Sequence, residues 1–107
     1  MKDTVIEDAM RIRGVQGAAV VGPSGKISAS SIGAKELNEF FELLFRVVSP
    51  SAGNAGLGPI KRVTVRTDKA EMLSLLLAEK EALAVVSEKS RPMPELVADL
   101  KPLLPGV

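Results

Sequence analysis

The chain has 107 residues, of which 46% are hydrophobic and 25% charged, and this size and composition predict a single globular domain over residues 1–107. The 14 Lys and Arg residues nearly balance the 13 Asp and Glu residues, which gives no electrostatic reason to expect nucleic acid or an anionic membrane as a partner. The sequence has no Cys and no His, hence no thiol nucleophile and neither the commonest general base nor the commonest metal ligand. We therefore expect a protein that is not an enzyme and that holds no metal or other cofactor.

The amino-terminal segment is polar and amphipathic and does not have the apolar centre of a signal peptide. No run of residues approaches the roughly 18 consecutive apolar residues of a membrane span. We therefore expect a soluble, cytoplasmic protein without membrane insertion.

A first helix is predicted from about Val5 to Arg13. Thr4 and Glu7 have the spacing of a capping box, in which the two side chains satisfy free backbone N–H groups at a helix start. Gly14 is a suitable residue to stop this helix, because glycine tolerates the left-handed conformation found there.

A β-hairpin is predicted next. Residues 18–21 are a short, apolar, β-prone run, residues 22–25 (GPSG) are typical of a turn, and residues 26–30 alternate polar and small apolar side chains. Gly22 to Lys26 also resembles a phosphate-binding loop, but Val20 and Ile27 stand where that motif needs Gly and Ser or Thr, and a strand follows instead of a helix. We interpret the segment as a hairpin turn.

The strongest helix pattern runs from Lys35 to Val48. At 100° per residue its apolar side chains cover an arc of about 200°, whereas a helix on one sheet needs an arc of little more than about 100°. This helix therefore has more apolar surface than one sheet can cover. The apolar positions are Leu37, Phe40, Phe41, Leu43, Leu44, Phe45, Val47 and Val48, and the polar stripe consists of Asn38, Glu39, Glu42 and Arg46.

The second half of the chain is predicted to start with a loop over residues 49–59, rich in Gly, Pro and Ser, and a strand from Ile60 to Thr67. In that strand the valines at 63 and 65 point to one face, and the polar residues point to the other: Arg62, Thr64 and Arg66. The basic side chains either discourage edge-to-edge pairing or contact a partner.

Residues 70–79 are ambiguous from the sequence. Their composition favours a helix, while the continuous apolar run from Met72 to Leu77 fits a strand buried on both faces. A strand from Leu83 to Ser87 is clearer. A short last helix is predicted from Pro94 to Leu100, with Pro102 ending it.

The order of these elements resembles the roadblock family, the dynein light chain roadblock superfamily. The residues that carry the resemblance are RGVQGAAVV at 13–21, the turn at 22–25, VTVRT at 63–67 and LAVV at 83–86. The chain is most similar to the compact prokaryotic members of the MglB type.

The resemblance implies an α+β (α/β) fold. Its parts are a five-stranded antiparallel sheet, one long helix on one face and two shorter helices on the other, and it makes residues 70–79 a strand. It also implies a homodimer joined through the second helix and the strand at 60–67. Family members do no chemistry of their own and serve as platforms and regulators of NTPase machines; MglB-type members act on a Ras-like small GTPase.

The resemblance thus implies a non-catalytic homodimeric adaptor or regulator of a Ras-like small GTPase, with a possible GTPase-activating role. The alternative is a structural, light-chain-like scaffold in a motor or signalling complex. The residues expected at the dimer interface are Phe40, Leu43, Val47, Arg62, Thr64 and Arg66. The expected partner surface consists of Asn38, Glu39, Glu42 and Arg46. We expect Arg46 to pair with Glu42 one turn earlier and not to act as an arginine finger.

Overall fold

The computed structural model describes residues 4–54, 62–68, 71–78 and 81–104, with the backbone alone for 49–54. The described strands form one antiparallel sheet in the order β2-β1-β5-β4-β3, and three α-helices pack on it. This confirms the predicted five-stranded α+β fold. The elements in chain order are α1 (Val5–Met10), β1 (Val15–Val21), β2 (Ile27–Ser30), α2 (Lys35–Asn54), β3 (Arg62–Arg66), β4 (Glu71–Leu77), β5 (Ala82–Glu88), α3 (Met93–Leu100) and a 3₁₀ turn (Lys101–Leu103).

The β1–β2 hairpin forms as the turn residues predict. The N–H of Gly22 donates to the carbonyl of Lys26 and the N–H of Gly25 to the carbonyl of Gly22, both at 2.9 Å. Gly25 has a φ of +84°, in the region that glycine adopts most readily. A strand follows this turn, so the segment does not have the strand–loop–helix order of a phosphate-binding loop.

The ambiguous segment is a strand, β4, which lies between β3 and β5 in the sheet. Residues 72–76 are all buried. Leu73 and Leu75 belong to the core under α2, while Leu76 belongs to the core on the opposite face. A strand covered on both faces needs apolar residues at every position, and this requirement outweighs the helix propensity of the composition.

Two cores lie on the two faces of the sheet. On one face, Phe41 and Phe45 of α2 pack over small and branched residues of the strands. On the other face, α1 and α3 bury Val5, Leu96 and Leu100. Phe41 is fully buried, and burial of such a side chain contributes about 1.5–3 kcal/mol. The predicted distribution of the helices over the two faces is confirmed.

The first helix is shorter than predicted and ends at Met10 instead of Arg13. The capping box is also wrong: the Thr4 side chain makes no cap hydrogen bond, and its hydroxyl donates to the Asp8 carboxylate at 3.3 Å. The preference of Thr for one local partner over another is decided by the backbone angles at the helix start, which the spacing alone does not specify. Gly14 has a φ of +92° in the turn that leads into β1.

The second helix is longer than predicted and continues past Val48 to Asn54. The prediction of a loop rested on the Gly, Pro and Ser content of residues 49–59. Pro50 is nevertheless compatible with a helix, since its missing N–H removes one helical hydrogen bond while its fixed φ is itself helical. The rest of the predicted loop, residues 55–59, and the first two residues of the predicted strand at 60–67 lie outside the described residues. Within the parts of the chain that the structure covers, no helix is long and apolar enough to cross a membrane.

The last helix begins at Met93, with Pro94 in its first turn as predicted. The α-helix ends at Leu100 as predicted, and the chain continues directly into the 3₁₀ turn that contains Pro102. Proline is compatible with that turn since its fixed φ lies within the 3₁₀ range.

Candidate protein-binding surface on the second helix

One flank of α2 is held on the β1–β2 hairpin by polar side chains. The half-buried Glu42 carboxylate accepts a hydrogen bond from the N–H of Ile27 at 2.8 Å. The Asn38 amide donates to the carbonyl of Ile32 at 3.0 Å and accepts from the Ser30 hydroxyl at 2.8 Å. Asn38 and Glu42 therefore position α2 relative to β2, at one edge of the sheet.

Arg46 lies on the same flank, and its aliphatic stem packs against the hairpin turn. A Cβ built on Gly25 would lie 3.1 Å from Cγ of Arg46, which is a close approach that glycine permits. The predicted pairing of Arg46 with Glu42 is wrong, because no such ion pair forms between these two described side chains and Glu42 binds the Ile27 N–H instead. Glu39 is exposed and pairs with Lys35 at 3.8 Å.

The four residues expected at the partner surface are thus not equivalent. Asn38 and Glu42 hold the helix on the hairpin, whereas Glu39 and Arg46 are exposed. All except Glu39 lie on the hairpin side of α2. Their role in binding a partner remains a prediction.

The other flank of α2 is an apolar ridge, defined here as Phe40, Leu43 and Val47. Leu43 is 58% exposed and Val47 is 57% exposed, and residues four apart on a helix lie side by side. Phe40 is half-buried and stands edge-on to the Phe41 ring, with centroids 5.9 Å apart. The excess apolar arc predicted from the sequence is therefore a real surface feature, and the described residues do not cover it.

The edge strand β3 lies on the ridge side of the molecule. The polar flank of α2 sits over β2 at one edge of the sheet, so the ridge is on the side nearer to β3 at the other edge. Val65 contributes to the core beneath α2, while the polar residues of the strand are exposed: Arg62, Thr64 and Arg66. Among the described strands β3 pairs only with β4, so one side of its backbone has no strand partner.

The described residues contain no group of three or more side chains placed to hold a metal ion. Two shallow depressions lie beside Gln16, at an irregularity in the pairing of β1 with β5, and have volumes of about 260 and 210 Å³. The smaller one is lined by Gln16, Ser31 and Glu71 together with glycine and apolar residues around Gly17 and Ile32. At the larger one the Ser90 hydroxyl donates to the Glu88 carboxylate at 3.2 Å, and both of these side chains are exposed.

Sequence reasoning missed the role of Arg91. Its side chain is only 9% exposed, and it donates to the carbonyl of Arg13 and pairs with Asp99 at 2.5 Å. Its stem also packs on Gly14, where an added Cβ would lie 3.0 Å from Cδ of Arg91. Arg91 therefore ties the turn after α1 to α3. No local signal marks this role, because its partner at Arg13 is far away in sequence.

Several solved structures share this fold. A roadblock/LC7 domain from Streptomyces avermitilis matches with a TM-score of 0.77 and 18% identity, over 95% of this chain and 90% of that one. An MglB with a tetrameric arrangement matches at 0.72 and 16% identity, over 92% and 79% of the two chains. MglB of Myxococcus xanthus matches at 0.69 and 14% identity, over 94% and 83%. No family model and no curated protein matches the sequence.

These likenesses show that the chain has a roadblock-like fold of the kind found in MglB proteins. At this level of identity they establish the fold alone. What the chain does has to be argued from its own surface.

Proposed function

We propose that the chain is a non-catalytic, homodimeric adaptor that regulates a Ras-like small GTPase. The observation that carries the proposal is the apolar ridge of α2, on the side of the molecule nearer to the edge of β3 that no described strand pairs with. The likeness to MglB proteins supports the choice of partner class.

The ridge and the strand edge supply the two kinds of contact that a stable dimer needs. Full burial of an apolar side chain contributes about 1.5–3 kcal/mol, and somewhat more than half of Leu43 and of Val47 is still exposed, so two copies of each have about 3.5–7 kcal/mol left to contribute. Association itself costs about 4–15 kcal/mol in lost freedom, so over most of that range these four side chains alone do not offset the cost. Backbone hydrogen bonds between two β3 strands and the partly exposed Phe40 rings supply the remainder.

Pairing of two β3 strands makes the dimer symmetric about that seam and sets the two α2 helices side by side. Two identical helices flank the twofold axis, so one GTPase bound there meets the two copies unequally. Two chains per GTPase is then the natural ratio. The exposed Glu39 and Arg46 are available for polar contacts at the rim of such a site.

The regulation we propose is indirect. The stem of Arg46 packs on Gly25, which restrains the one arginine of α2 on the hairpin side of the helix. An inserted arginine finger would have to extend away from the protein towards the phosphates. We therefore infer that the dimer acts by reorganising residues of the GTPase itself.

The test combines two measurements on the full chain. Light scattering should give a dimer, and the dimer should bind a Ras-like GTPase from the same cell in a nucleotide-dependent manner. Single-turnover GTP hydrolysis should then be faster with the dimer than without it. Nucleotide-independent binding with no acceleration would favour the scaffold alternative, and a monomer, or hydrolysis by the isolated chain, would refute the proposal.

Lys35→Asp is the matched control for changes in the ridge. It introduces a carboxylate on the same helix, at an exposed position in the first turn, where negative charge is favourable. This variant should dimerise as the unmodified chain does. Loss of dimer in Lys35→Asp would show that the assay reports helix stability and not the ridge.

A further inference from the structure

A row of polar side chains runs along β3 on the face opposite to α2. Arg62, Thr64 and Arg66 alternate with the half-buried valines and are exposed. Thr64 pairs with Ser74 of β4, and Ser74 lies 3.9 Å from the sulfur of Met93 in α3. The basic row, defined as Arg62, Thr64 and Arg66, therefore lies on the α1 and α3 face of the sheet.

The two arginines of the basic row have no acidic partner among the described residues. The ion pairs between described side chains are made elsewhere, by Arg11, Lys35 and Arg91. Both guanidinium groups are thus exposed and uncompensated. An isolated arginine needs no explanation, but two on one face of an edge strand, on the ridge side of the molecule, form a distinct surface.

A dimer formed by pairing two β3 strands brings two copies of the basic row together, whichever residues of the two strands lie opposite each other. Residues directly opposite each other in an antiparallel pair project to the same face. A symmetric pairing that keeps both α2 helices on one face must therefore be centred on a residue, whether 63, 64 or 65. Each of these registers brings Arg62 and Arg66 of both copies together on the α1 and α3 face.

A centre at Thr64 sets Arg62 directly opposite Arg66 of the second copy, twice. Like charges in such positions oppose the pairing. If Arg62 and Arg66 served only to prevent edge-to-edge pairing of β3, their repulsion would oppose the dimer that the apolar ridge favours. An anionic group bound across the seam removes this conflict because it compensates all four charges.

We propose that the basic row of the dimer binds an extended acidic segment of a partner protein, on the face opposite to the α2 surface. This inference rests on the proposed dimer. Guanidinium groups bind carboxylates with two parallel hydrogen bonds. Arg62 and Arg66 are four residues apart on a strand, a span of about 13 Å, which equals the separation of two carboxylates four residues apart in an extended peptide.

The other anionic partners fit less well. A nucleic acid draws on many phosphate contacts, whereas the chain has only one more basic than acidic residue, 14 against 13. A membrane surface needs apolar anchors beside the charges. Of the three exposed large apolar side chains of the described part, Leu43 and Val47 lie on the other face of the sheet, and Met10 belongs to α1, which packs over β1 and not over β3.

The experiment measures binding of a short fluorescent peptide in which Glu alternates with Thr, by anisotropy, to the full chain at low salt. The control peptide has Gln in place of Glu. The test variant is Arg62→Ala/Arg66→Ala, and the matched control is Arg11→Ala/Arg13→Ala, which removes the same charge from exposed sites near α1. Light scattering on each variant reports the dimer separately.

The acidic peptide should bind and the Gln peptide should not. Arg62→Ala/Arg66→Ala should weaken binding by about tenfold or more and remain a dimer, while the matched control should differ little. Equal binding of both peptides, or unchanged binding by Arg62→Ala/Arg66→Ala, would overturn this inference and leave the proposed function standing. Arginine-dependent binding to anionic vesicles without peptide binding would overturn it in favour of a membrane. A monomeric chain would instead refute the proposed function.

Discussion

The substitution Leu43→Asp tests the apolar ridge most directly. Leu43 is 58% exposed, so roughly that fraction of the 1.5–3 kcal/mol for a leucine remains to be gained on dimerisation, about 0.9–1.7 kcal/mol per copy. The loss of two copies alone weakens the dimer by about 20- to 300-fold. The two introduced carboxylates must also lose water beside each other in the interface, which adds a further cost.

The expected result is a folded monomer at concentrations where the unmodified chain is a dimer. Sedimentation velocity over a dilution series gives the dissociation constant, and circular dichroism reports the helices. Since more than half of Leu43 is exposed in the single chain, the monomer should keep its helical signal. Leu43→Ala should weaken the dimer only by the effect of the lost apolar burial, about 20- to 300-fold. An unchanged dissociation constant for Leu43→Asp, with intact helical signal, would show that the ridge is not the interface.

Four further outcomes are expected. Phe41→Ala removes a fully buried ring and should lower the free energy of unfolding by about 3–5 kcal/mol in urea titrations at fixed protein concentration; a loss under about 1 kcal/mol would contradict the assigned core. Gly14→Ala, at a φ of +92°, should cost about 1–2 kcal/mol in the same assay, and less in an Arg91→Ala background because the close contact is then absent; equal costs in both backgrounds would mean that the contact is unimportant. Arg46→Ala should retain GTPase stimulation to within a few-fold, whereas a loss of about 10³ or more with binding intact would identify it as an arginine finger. Arg62→Glu should tighten the dimer by about 2- to 30-fold in sedimentation if the pairing is centred at Thr64, since it creates two opposite-charge pairs; weakening would exclude that register.

The sequence predicts those parts of the fold that are determined by neighbouring residues. The glycines at 22 and 25 indicated the hairpin turn, and the alternation of Val63 and Val65 with polar residues indicated one half-buried face of β3. The width of the apolar arc on α2 indicated surface beyond the sheet, and Leu43 and Val47 are exposed accordingly. Such patterns depend on neighbouring residues, so they can be recognised in the sequence without knowledge of the tertiary structure.

The sequence does not predict contacts made between residues far apart in the chain. Glu42 was expected to pair with Arg46, but its carboxylate accepts a hydrogen bond from the N–H of Ile27 in another element. Arg91 lies among ordinary loop residues and is nevertheless largely buried. The continuation of α2 past Pro50 was missed for a different reason, because a proline weakens a helix without always ending it.

The hydrogen bond from the Ile27 N–H to the Glu42 carboxylate offers a way to detect movement of α2 when a partner binds. It is a backbone N–H of one element bound to a side chain of α2, so it persists only while the helix stays seated on the hairpin. A displacement of α2 by a bound partner would lengthen or break it. The amide proton of Ile27 would then shift in NMR spectra and exchange faster with solvent. This amide is a native reporter of the helix position that needs no attached label, and it lies on the opposite flank from the ridge that a second copy would cover.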